Sequence, residues 1–263
     1  TIDSGSVDFG NIIMGGHLSI TSSAAIDTGN ITGATYNLTL ASGANGNITL
    51  GTVGADGAAV GSVSITPNGS GVISTAGDWY SDEAISLGAV TPSGAFSITT
   101  TNDNITLGTL LGTSNVTLTS GSGTITLSNI GADGTNIGAL SLSTSAALSA
   151  SGTWYLGNIA GNLNLITTGA LTINSGSVDF NNITLGGNLS ITSTSTIDAG
   201  TITGAGHNLT LGSGANGNIT LGTIGANNAA VGTVSITPNG TGVISTAGNW
   251  YSNAATLGAM TLS

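Results

Sequence analysis

The 263-residue chain contains no lysine, no arginine and no cysteine. The missing cysteine excludes a disulfide framework and any metal site built on thiolates. The missing cations leave a formal net charge of −11 and no side chain that could neutralise phosphate groups, apart from two histidines. Nucleic acid and anionic membrane surfaces are therefore not expected as partners.

Long apolar runs are also missing. No stretch reaches the roughly 18 residues that a membrane-spanning helix needs, so we expect no direct membrane insertion. The first residues, 1–4, carry no positive charge and introduce no apolar run, so they do not resemble a signal peptide. We expect a mature chain or a window of a longer one.

Glycine, in contrast, is abundant, with 44 residues, and hydrophobic residues make up 39% of the chain. The stretch 47–53, Asn-Ile-Thr-Leu-Gly-Thr-Val, alternates apolar with polar side chains and then bends at a glycine. Near-copies lie at 104–110 and 218–224. Such alternation predicts short half-buried strands. A unit of this kind buries its apolar face only when copies of it stack above and below.

The sequence repeats with a long period. Residues 5–79 match residues 176–250 at a constant offset of 171 positions, since 176 − 5 = 171. We therefore predict a single continuous solenoid over 1–263, in which 1–171 is a first large repeat and 172–263 a partial second one.

A shorter period runs inside the large repeat. Ten strand starts can be aligned, and nearly all of their spacings lie between 20 and 26 residues, with one of 33. They are Leu18, Leu38, Val63, Phe96, Val116, Leu140, Leu163, Leu189, Leu209 and Val234. A period in the low twenties without helix signals predicts an all-β parallel β-helix. We expect about ten coils with three short strands each. In the coil 37–53 the inward residues are predicted to be Leu38, Leu40, Ile48, Leu50 and Val53.

The acidic residues do not form a predicted reaction centre. Asp56, Asp78 and Asp82 of the first large repeat are replaced in the second by Asn227, Asn249 and Asn253, and Glu83 by Ala254. An Asp-to-Asn change keeps hydrogen bonding but removes acid and base chemistry. The pairs Asp8/Asp179 and Asp27/Asp198 persist, each among Ser, Thr and Gly. We expect turn residues, no catalytic residue and no enzyme.

Metal and cofactor sites are not expected either, because no calcium-loop pattern occurs. The two histidines sit at variable positions: His17 aligns with Asn188, and His207 aligns with Tyr36. Both are interpreted as surface substitutions.

Three aromatic pairs interrupt the rhythm and are the main candidates for recognition: Trp79-Tyr80, Trp154-Tyr155 and Trp250-Tyr251. Exposed aromatic faces could stack on sugars or on a neighbouring filament. Alternatively, each tryptophan packs over the edge of a coil. Because the longest spacing contains the first pair, we expect a protruding loop or a partial turn there.

Asparagine recurs just before strands, always within an Asn-x-Ser/Thr sequon. The eight positions are Asn37, Asn47, Asn104, Asn115, Asn182, Asn188, Asn208 and Asn218. Asparagine at a corner before a Thr-containing strand produces the sequon automatically, and stacked Asn side chains can form ladders. N-glycosylation of exposed copies is the alternative interpretation.

Together these motifs resemble a known family. The decapeptide Gly-Ala-Asn-Gly-Asn-Ile-Thr-Leu-Gly-Thr at 43–52 and 214–223, and Leu-Gly-Ala-Val at 87–90, are similar to giant bacterial β-strand-repeat proteins akin to filamentous haemagglutinin-like surface adhesins. The resemblance implies a right-handed parallel β-helix at the cell surface or in a secreted fibre, with a role in adhesion or in a biofilm matrix.

The functional expectation is a non-catalytic extracellular structural protein, the shaft segment of a filament or adhesin. Partners would be further copies, joined end to end or laterally, because open strand edges invite pairing. The alternative is a surface module that binds glycans or other cell-surface components through exposed Trp-Tyr loops. A polysaccharide-degrading enzyme is disfavoured by the missing Lys and Arg.

Overall fold

The structure, a computed structural model, describes residues 1–161 and 163–257. The last six residues of the predicted second repeat, 258–263, lie outside this range. The described residues form 27 β-strands and no helix. Accordingly, nothing in these ranges is a helix long and apolar enough to cross a membrane.

Most strands are short because glycine, asparagine and serine interrupt the alternating runs. The first half of the chain carries β1 (Ile2–Ser4), β2 (Val7–Phe9), β3 (Ile12–Ile13), β4 (Leu18–Ser22), β5 (Ile26–Thr28), β6 (Ile31–Thr32), β7 (Leu38–Ala44), β8 (Ile48–Leu50), β9 (Val63–Asn68), β10 (Ile73–Thr75), β11 (Asp78–Ser81), β12 (Ile85–Pro92), β13 (Phe96–Thr100), β14 (Ile105–Leu110) and β15 (Val116–Gly121). The second carries β16 (Ile125–Ile130), β17 (Ile137–Thr144), β18 (Leu148–Ala160), β19 (Leu163–Ser175), β20 (Val178–Leu185), β21 (Leu189–Ser193), β22 (Ile197–Thr203), β23 (Leu209–Ala215), β24 (Ile219–Leu221), β25 (Val231–Asn239), β26 (Ile244–Thr246) and β27 (Ser252–Leu257).

The chain divides into two compact units. Unit 1 contains residues 1–127, 135–137 and 143–146, and unit 2 contains 128–134, 138–142 and the residues from 147 onward. Within each unit the strands of successive coils lie side by side and parallel, for example Leu18 beside Leu38 in unit 1 and Leu189 beside Leu209 in unit 2. The predicted all-β parallel β-solenoid is thereby confirmed. Its turns number about 13, against about ten predicted.

The coil number is higher because the predicted alignment is wrong at two places. Ile85, and not Phe96, lies beside Val63. The 33-residue spacing therefore contains an additional strand, β12, and no protruding loop. Similarly, Leu189 lies beside Leu171, and not beside Leu163.

Three columns of inward side chains form the core of unit 1, one on each face of the coil. They are Leu18, Leu38, Val63, Ile85 and Ile105; Val7, Ile26, Ile48, Ile73, Val90 and Leu110; and Ile12, Ile31, Val53, Trp79, Ile98 and Leu118. The five inward residues predicted for the coil 37–53 are all buried. Each fully buried side chain of this size stabilises the fold by about 1.5–3 kcal/mol.

Unit 2 repeats this arrangement at the offset of 171 residues. Its columns include Leu171, Leu189, Leu209 and Val234; Val178, Ile197, Ile219 and Ile244; and Leu165, Ile183, Ile202, Ile224 and Trp250.

Some strands cover two faces of a coil without interruption. For example, β12 pairs with β9 through Ile85 and with β10 through Val90. The predicted three strands per coil thus correspond to three faces, not always to three separate strands.

A buried hydroxyl ends many of the inward runs. Ser22, Ser42 and Ser120 follow two inward aliphatic residues at alternate positions, and all three side chains are buried. Ser42 Oγ donates to the Gly46 carbonyl oxygen, and Ser120 Oγ to that of Gly123, at 2.6 Å for the second pair. Since a buried hydroxyl needs a partner, these bonds let the chain turn a corner inside the core.

Candidate functional site

The tryptophans of the three aromatic pairs point into the solenoid. Trp79 and Trp154 have 0% of their surface exposed, and Trp250 is half-buried. Trp79 lies in register between Val53 and Ile98, and its ring meets that of Phe96 edge to face at 5.4 Å between centroids. Neither Trp79 nor Trp154 therefore offers a ring face to a ligand.

Each indole nitrogen donates a hydrogen bond to the backbone of an earlier coil. Trp79 Nε1 donates to the Gly51 carbonyl oxygen at 3.1 Å, and Trp250 Nε1 donates to that of Gly222 at 3.3 Å. These two acceptors are equivalent, since 222 − 51 = 171. Trp154 Nε1 donates to the Ser128 carbonyl oxygen. The indoles thus join neighbouring coils within their unit.

The tyrosines of the same pairs point the other way. Tyr80, Tyr155 and Tyr251 are each half-buried, because side chains alternate between the two faces of a strand. Any aromatic recognition at these strands would therefore use the phenol rings and not the indoles.

Tyr80 lines a groove of about 240 Å³ in unit 1. Asp82, two residues after Tyr80, also lines the groove, and two further segments add Asp56 and the pair Thr99 and Thr101. Its rim at Asp56 is fixed, because Ala55 and Ala58 exchange two backbone hydrogen bonds of 3.2 and 2.9 Å across the turn. Carboxylates and hydroxyls at such a site accept hydrogen bonds from a polyhydroxylated or amine-bearing ligand.

The second large repeat lacks the acidic character of this groove. The residues equivalent to Asp56 and Asp82 are Asn227 and Asn253, whereas Tyr80 is matched by Tyr251. In this groove, which we call the Asp56 groove, a sequence difference between the repeats coincides with a concave surface.

The sequon asparagines act between coils. The side-chain oxygen of seven of them accepts a hydrogen bond from a backbone N–H in the next coil, at 2.8–3.1 Å. These are Asn37, Asn47, Asn104, Asn182, Asn188, Asn208 and Asn218. The predicted ladder is therefore mainly one of side chain to backbone. An amide-to-amide contact occurs where Asn164 Oδ1 accepts from Asn181 and Asn182.

Most of these asparagines also face solvent. Asn47, Asn104, Asn115, Asn188, Asn208 and Asn218 are exposed, and Asn37 and Asn182 are half-buried. The side-chain nitrogen, which N-glycosylation modifies, is not the atom that accepts the bond to the next coil. Glycosylation at these sites stays a prediction.

His17 takes the role of an asparagine. Its Nδ1 accepts a hydrogen bond from the Asn37 N–H at 3.0 Å, as Asn188 Oδ1 accepts from the Asn208 N–H at 2.9 Å. His17 and Asn188 are equivalent positions of the two large repeats. The ring also meets Tyr36 edge to face at 6.0 Å between centroids. The Asn-to-His difference thus conserves one acceptor between coils.

Two pairs of carboxylates stack on neighbouring coils. Asp8 lies beside Asp27 in unit 1, and Asp179 lies beside Asp198 in unit 2. Partial burial, and secondly the negative charge of Asp179, raise the pKa of Asp198 above the usual aspartate range. Sequence reasoning noted all four residues but did not predict that they pair.

No group of three or more potential metal-ligating residues occurs within 1–161 and 163–257.

The sequence reasoning missed the buried serine and threonine residues at the corners, because it assigned only aliphatic residues to the interior. The signal is present, however, as a Ser or Thr at the third inward position after two aliphatic ones.

The chain matches no protein-family profile, no curated protein and no solved structure.

Proposed function

We propose that this protein is a non-catalytic structural element, the shaft segment of an extracellular filament or adhesin. The observation that carries the proposal is where its polar side chains bond. Indole nitrogens, asparagine oxygens and corner hydroxyls bond to the backbone of the same or a neighbouring coil. Their chemistry holds coils together.

The interior favours a mechanical role as well. In-register columns of aliphatic side chains repeat from coil to coil in each unit, and backbone hydrogen bonds link strands of neighbouring coils. Stability in such a stack is approximately a sum over coils and the interfaces between them. A mechanical force or a protease would therefore have to open the coils one after another.

The composition suits a surface location. The absence of Lys and Arg removes every trypsin-type cleavage site and leaves a net charge of −11. Such a chain would remain intact and repel nucleic acid and anionic lipid. We propose that it works at the cell surface, in a secreted fibre or in a biofilm matrix, with further copies of itself as partners.

Electron microscopy of the native assembly tests this function. We expect filaments whose continuous segments consist of this solenoid. Dispersed particles alone, at the concentration found on the native surface, would contradict it.

A second candidate function is recognition, and the Asp56 groove favours it. Tyr80 supplies an aromatic ring, and Asp56 and Asp82 supply acceptors, on a surface that a glycan could reach. The buried tryptophans cannot test this, because truncating Trp79 or Trp154 would open the core.

The test uses the chain's own second repeat as a template. The variant Asp56→Asn/Asp82→Asn gives the groove the residues found at 227 and 253. Binding to a glycan array should decrease in this variant and in Tyr80→Ala, but not in Tyr251→Ala. Equal binding by all of these variants would argue against the groove.

A further inference from the structure

The chain contains four Asn-Gly dipeptides, Asn45-Gly46, Asn68-Gly69, Asn216-Gly217 and Asn239-Gly240. They occupy two places in each large repeat, since 216 − 45 = 171 and 239 − 68 = 171. Asparagine is among the thermolabile residues, and a glycine after it has no Cβ to shield its backbone nitrogen. That nitrogen can therefore attack the side-chain amide carbon, Cγ, of the asparagine before it.

The first place is closed to this reaction in unit 1. Asn45 Oδ1 accepts hydrogen bonds from the backbone N–H and the hydroxyl of Ser70 in the next coil, at 3.0 and 2.9 Å. The Gly46 N–H, whose nitrogen would attack, donates to the Gly43 carbonyl oxygen at 2.9 Å. Ring closure moves Cγ onto this nitrogen and removes its proton, so these bonds must break first.

Unit 2 closes the equivalent place in the same way. Asn216 Oδ1 accepts from the backbone N–H and the hydroxyl of Thr241, at 2.9 and 2.6 Å. The Gly217 N–H donates to the Gly214 carbonyl oxygen at 2.9 Å. Thr241 is the equivalent of Ser70, since 241 − 70 = 171. The arrangement therefore belongs to this corner of the coil and not to one copy of it.

The second place is open in unit 1. Within the part of the chain that the structure describes, neither the Asn68 side chain nor the Gly69 N–H has a hydrogen-bond partner. Exposure of the asparagines does not distinguish the two places, because Asn45 and Asn68 are both exposed. The glycines differ, however, since Gly46 is buried and Gly69 is exposed.

The stacking of the corners explains this difference. The corner 66–72 follows the corner 41–47 in register, so the earlier corner is covered by the later one. The following coil has only Gly88 and Ala89 between the residues that lie beside β9 and those that lie beside β10. It therefore has no equivalent corner. Gly69 and Gly88 line the groove of about 450 Å³ that lies there, through which water reaches the corner.

We infer that Asn68 is a site of spontaneous deamidation on the folded protein, whereas Asn45 and Asn216 are protected by the coil that follows them. The Gly69 nitrogen forms a bond to Asn68 Cγ while the bond from Cγ to the amide nitrogen breaks. Ammonia leaves with the proton that the Gly69 nitrogen loses. Water then adds to either carbonyl of the resulting succinimide ring and opens it to aspartate or isoaspartate. The reaction needs no oxidant, reductant or enzyme.

The products change the corner. Either product adds a negative charge, and isoaspartate also routes the backbone through the former side chain. The Asn68 carbonyl oxygen accepts the Asn45 N–H at 2.9 Å and the Gly71 N–H at 3.1 Å. In isoaspartate this oxygen belongs to a free carboxylate. Because the conversion needs only water and time, it marks the age of the folded chain, and it does not depend on the proposed function.

The experiment incubates the full chain at mildly alkaline pH, with and without concentrated urea, and follows each asparagine by mass spectrometry of chymotryptic peptides. Cleavage after Leu50 and Trp79 isolates Asn68, which is the single asparagine between those two residues. In the native protein we expect Asn68 to deamidate at least about tenfold faster than Asn45 and Asn216. In urea the three rates should become similar, because the hydrogen bonds are lost.

The control variant is Asn68→Ser, which should abolish the mass change in the fragment 51–79 and leave the rate at Asn45 unchanged. Similar native rates at Asn45 and Asn68 would overturn the inference, because the bonds to Ser70 would then give no protection. Fast native deamidation of Asn216 would overturn it for the same reason. The same preference for Asn68 in urea would also overturn it, since the local sequence and not the fold would then set the rates.

Discussion

The indole nitrogen of Trp79 donates a hydrogen bond to the carbonyl oxygen of Gly51, 28 residues earlier in the chain, at 3.1 Å. It also donates to Thr75 Oγ1 at 3.2 Å. The buried Trp79 indole therefore joins two coils by a polar contact, whereas an aliphatic side chain in its place would contribute only packing. The equivalent bond from Trp250 to Gly222 shows that the joint repeats with the sequence.

Replacing Trp79 by phenylalanine tests this joint. Trp79→Phe keeps an aromatic ring but removes the donor, so we expect the free energy of unfolding to fall by about 1–3 kcal/mol. Urea unfolding followed by circular dichroism measures it. Tyr80→Phe is the control, because it removes a hydroxyl from a half-buried ring on the opposite face. A loss as large for Tyr80→Phe as for Trp79→Phe would contradict the assignment.

A buried hydroxyl without a partner offers the opposite test. Thr28 is 3% exposed, and its Oγ1 has no hydrogen-bond partner. The second large repeat has Ala199 at this position. Thr28→Val keeps the shape and removes the unsatisfied hydroxyl, so we expect the chain to become more stable by about 1 kcal/mol.

Thr75→Val is the matched control for that substitution. Thr75 Oγ1 donates to the Gly51 carbonyl oxygen at 3.4 Å and accepts from Trp79 Nε1, so the same change should destabilise the chain. Differential scanning calorimetry of both variants gives the sign of each effect. If both variants shift the melting temperature in the same direction, hydrogen bonding of the hydroxyl does not determine the sign of the stability change at Thr28 and Thr75.

Much of this fold is predictable from the sequence, because alternation fixes which side chains point inward. Leu38, Leu40 and Ile48 are buried as predicted. The alignment of coils failed at Ile85, although Ile85-Ser86-Leu87 alternates like the other strand starts. A tryptophan just before it suggested an irregular loop, but the core accommodates the indole by bonding it to a backbone carbonyl.

The candidate site was harder to predict. The Asp56 groove gathers residues from segments that are up to 67 positions apart, from Ala34 to Thr101, since 101 − 34 = 67. Their proximity depends on the register of each coil. A sequence alignment that misassigns one strand start would therefore not bring these residues together. The local sequence pattern was enough to predict asparagine at the corners. The partner of each asparagine in the next coil could be identified only from the three-dimensional stacking of the coils.

The Asp179–Asp198 pair predicts a specific pH dependence. Because the pKa of Asp198 is raised in the folded chain, the folded state binds a proton at higher pH than the unfolded state does. The destabilising contribution of the ionised Asp198 carboxylate is therefore fully present above the raised pKa. It is relieved as the pH falls through that value toward the ordinary aspartate pKa.

Asp198→Asn should accordingly stabilise the chain near neutral pH and lose its advantage in acid. Chemical unfolding of both proteins over the acid range measures the difference. Asp179→Asn removes only the neighbouring charge and should give a smaller gain, since burial is the larger cause. A gain for Asp198→Asn that does not depend on pH would contradict this origin.

Close stacking at the corners predicts a strong effect of one methyl group. A Cβ atom added at Gly123 would lie 2.1 Å from the backbone oxygen of Asp103 in unit 1, so the two segments would have to separate. We expect Gly123→Ala to destabilise the chain by about 1–3 kcal/mol. Gly88 has nothing within 4 Å of such an atom. Gly88→Ala should therefore be nearly neutral in the same unfolding experiment, and equal effects would refute the close contact.

The most direct test of parallel, in-register coils is a pair of engineered cysteines, which is free of background because the chain has no cysteine. Thr39 lies beside Ser64 in the structure, and Thr66 lies beside Ala41. Neighbouring strands are about 4.8 Å apart, a separation that suits a disulfide, whereas the diagonal pair is roughly 7–8 Å apart. Mass spectrometry after mild oxidation should show a cross-link in Thr39→Cys/Ser64→Cys and none in Thr39→Cys/Thr66→Cys. A cross-link in the second variant and not in the first would contradict the register on which this account depends.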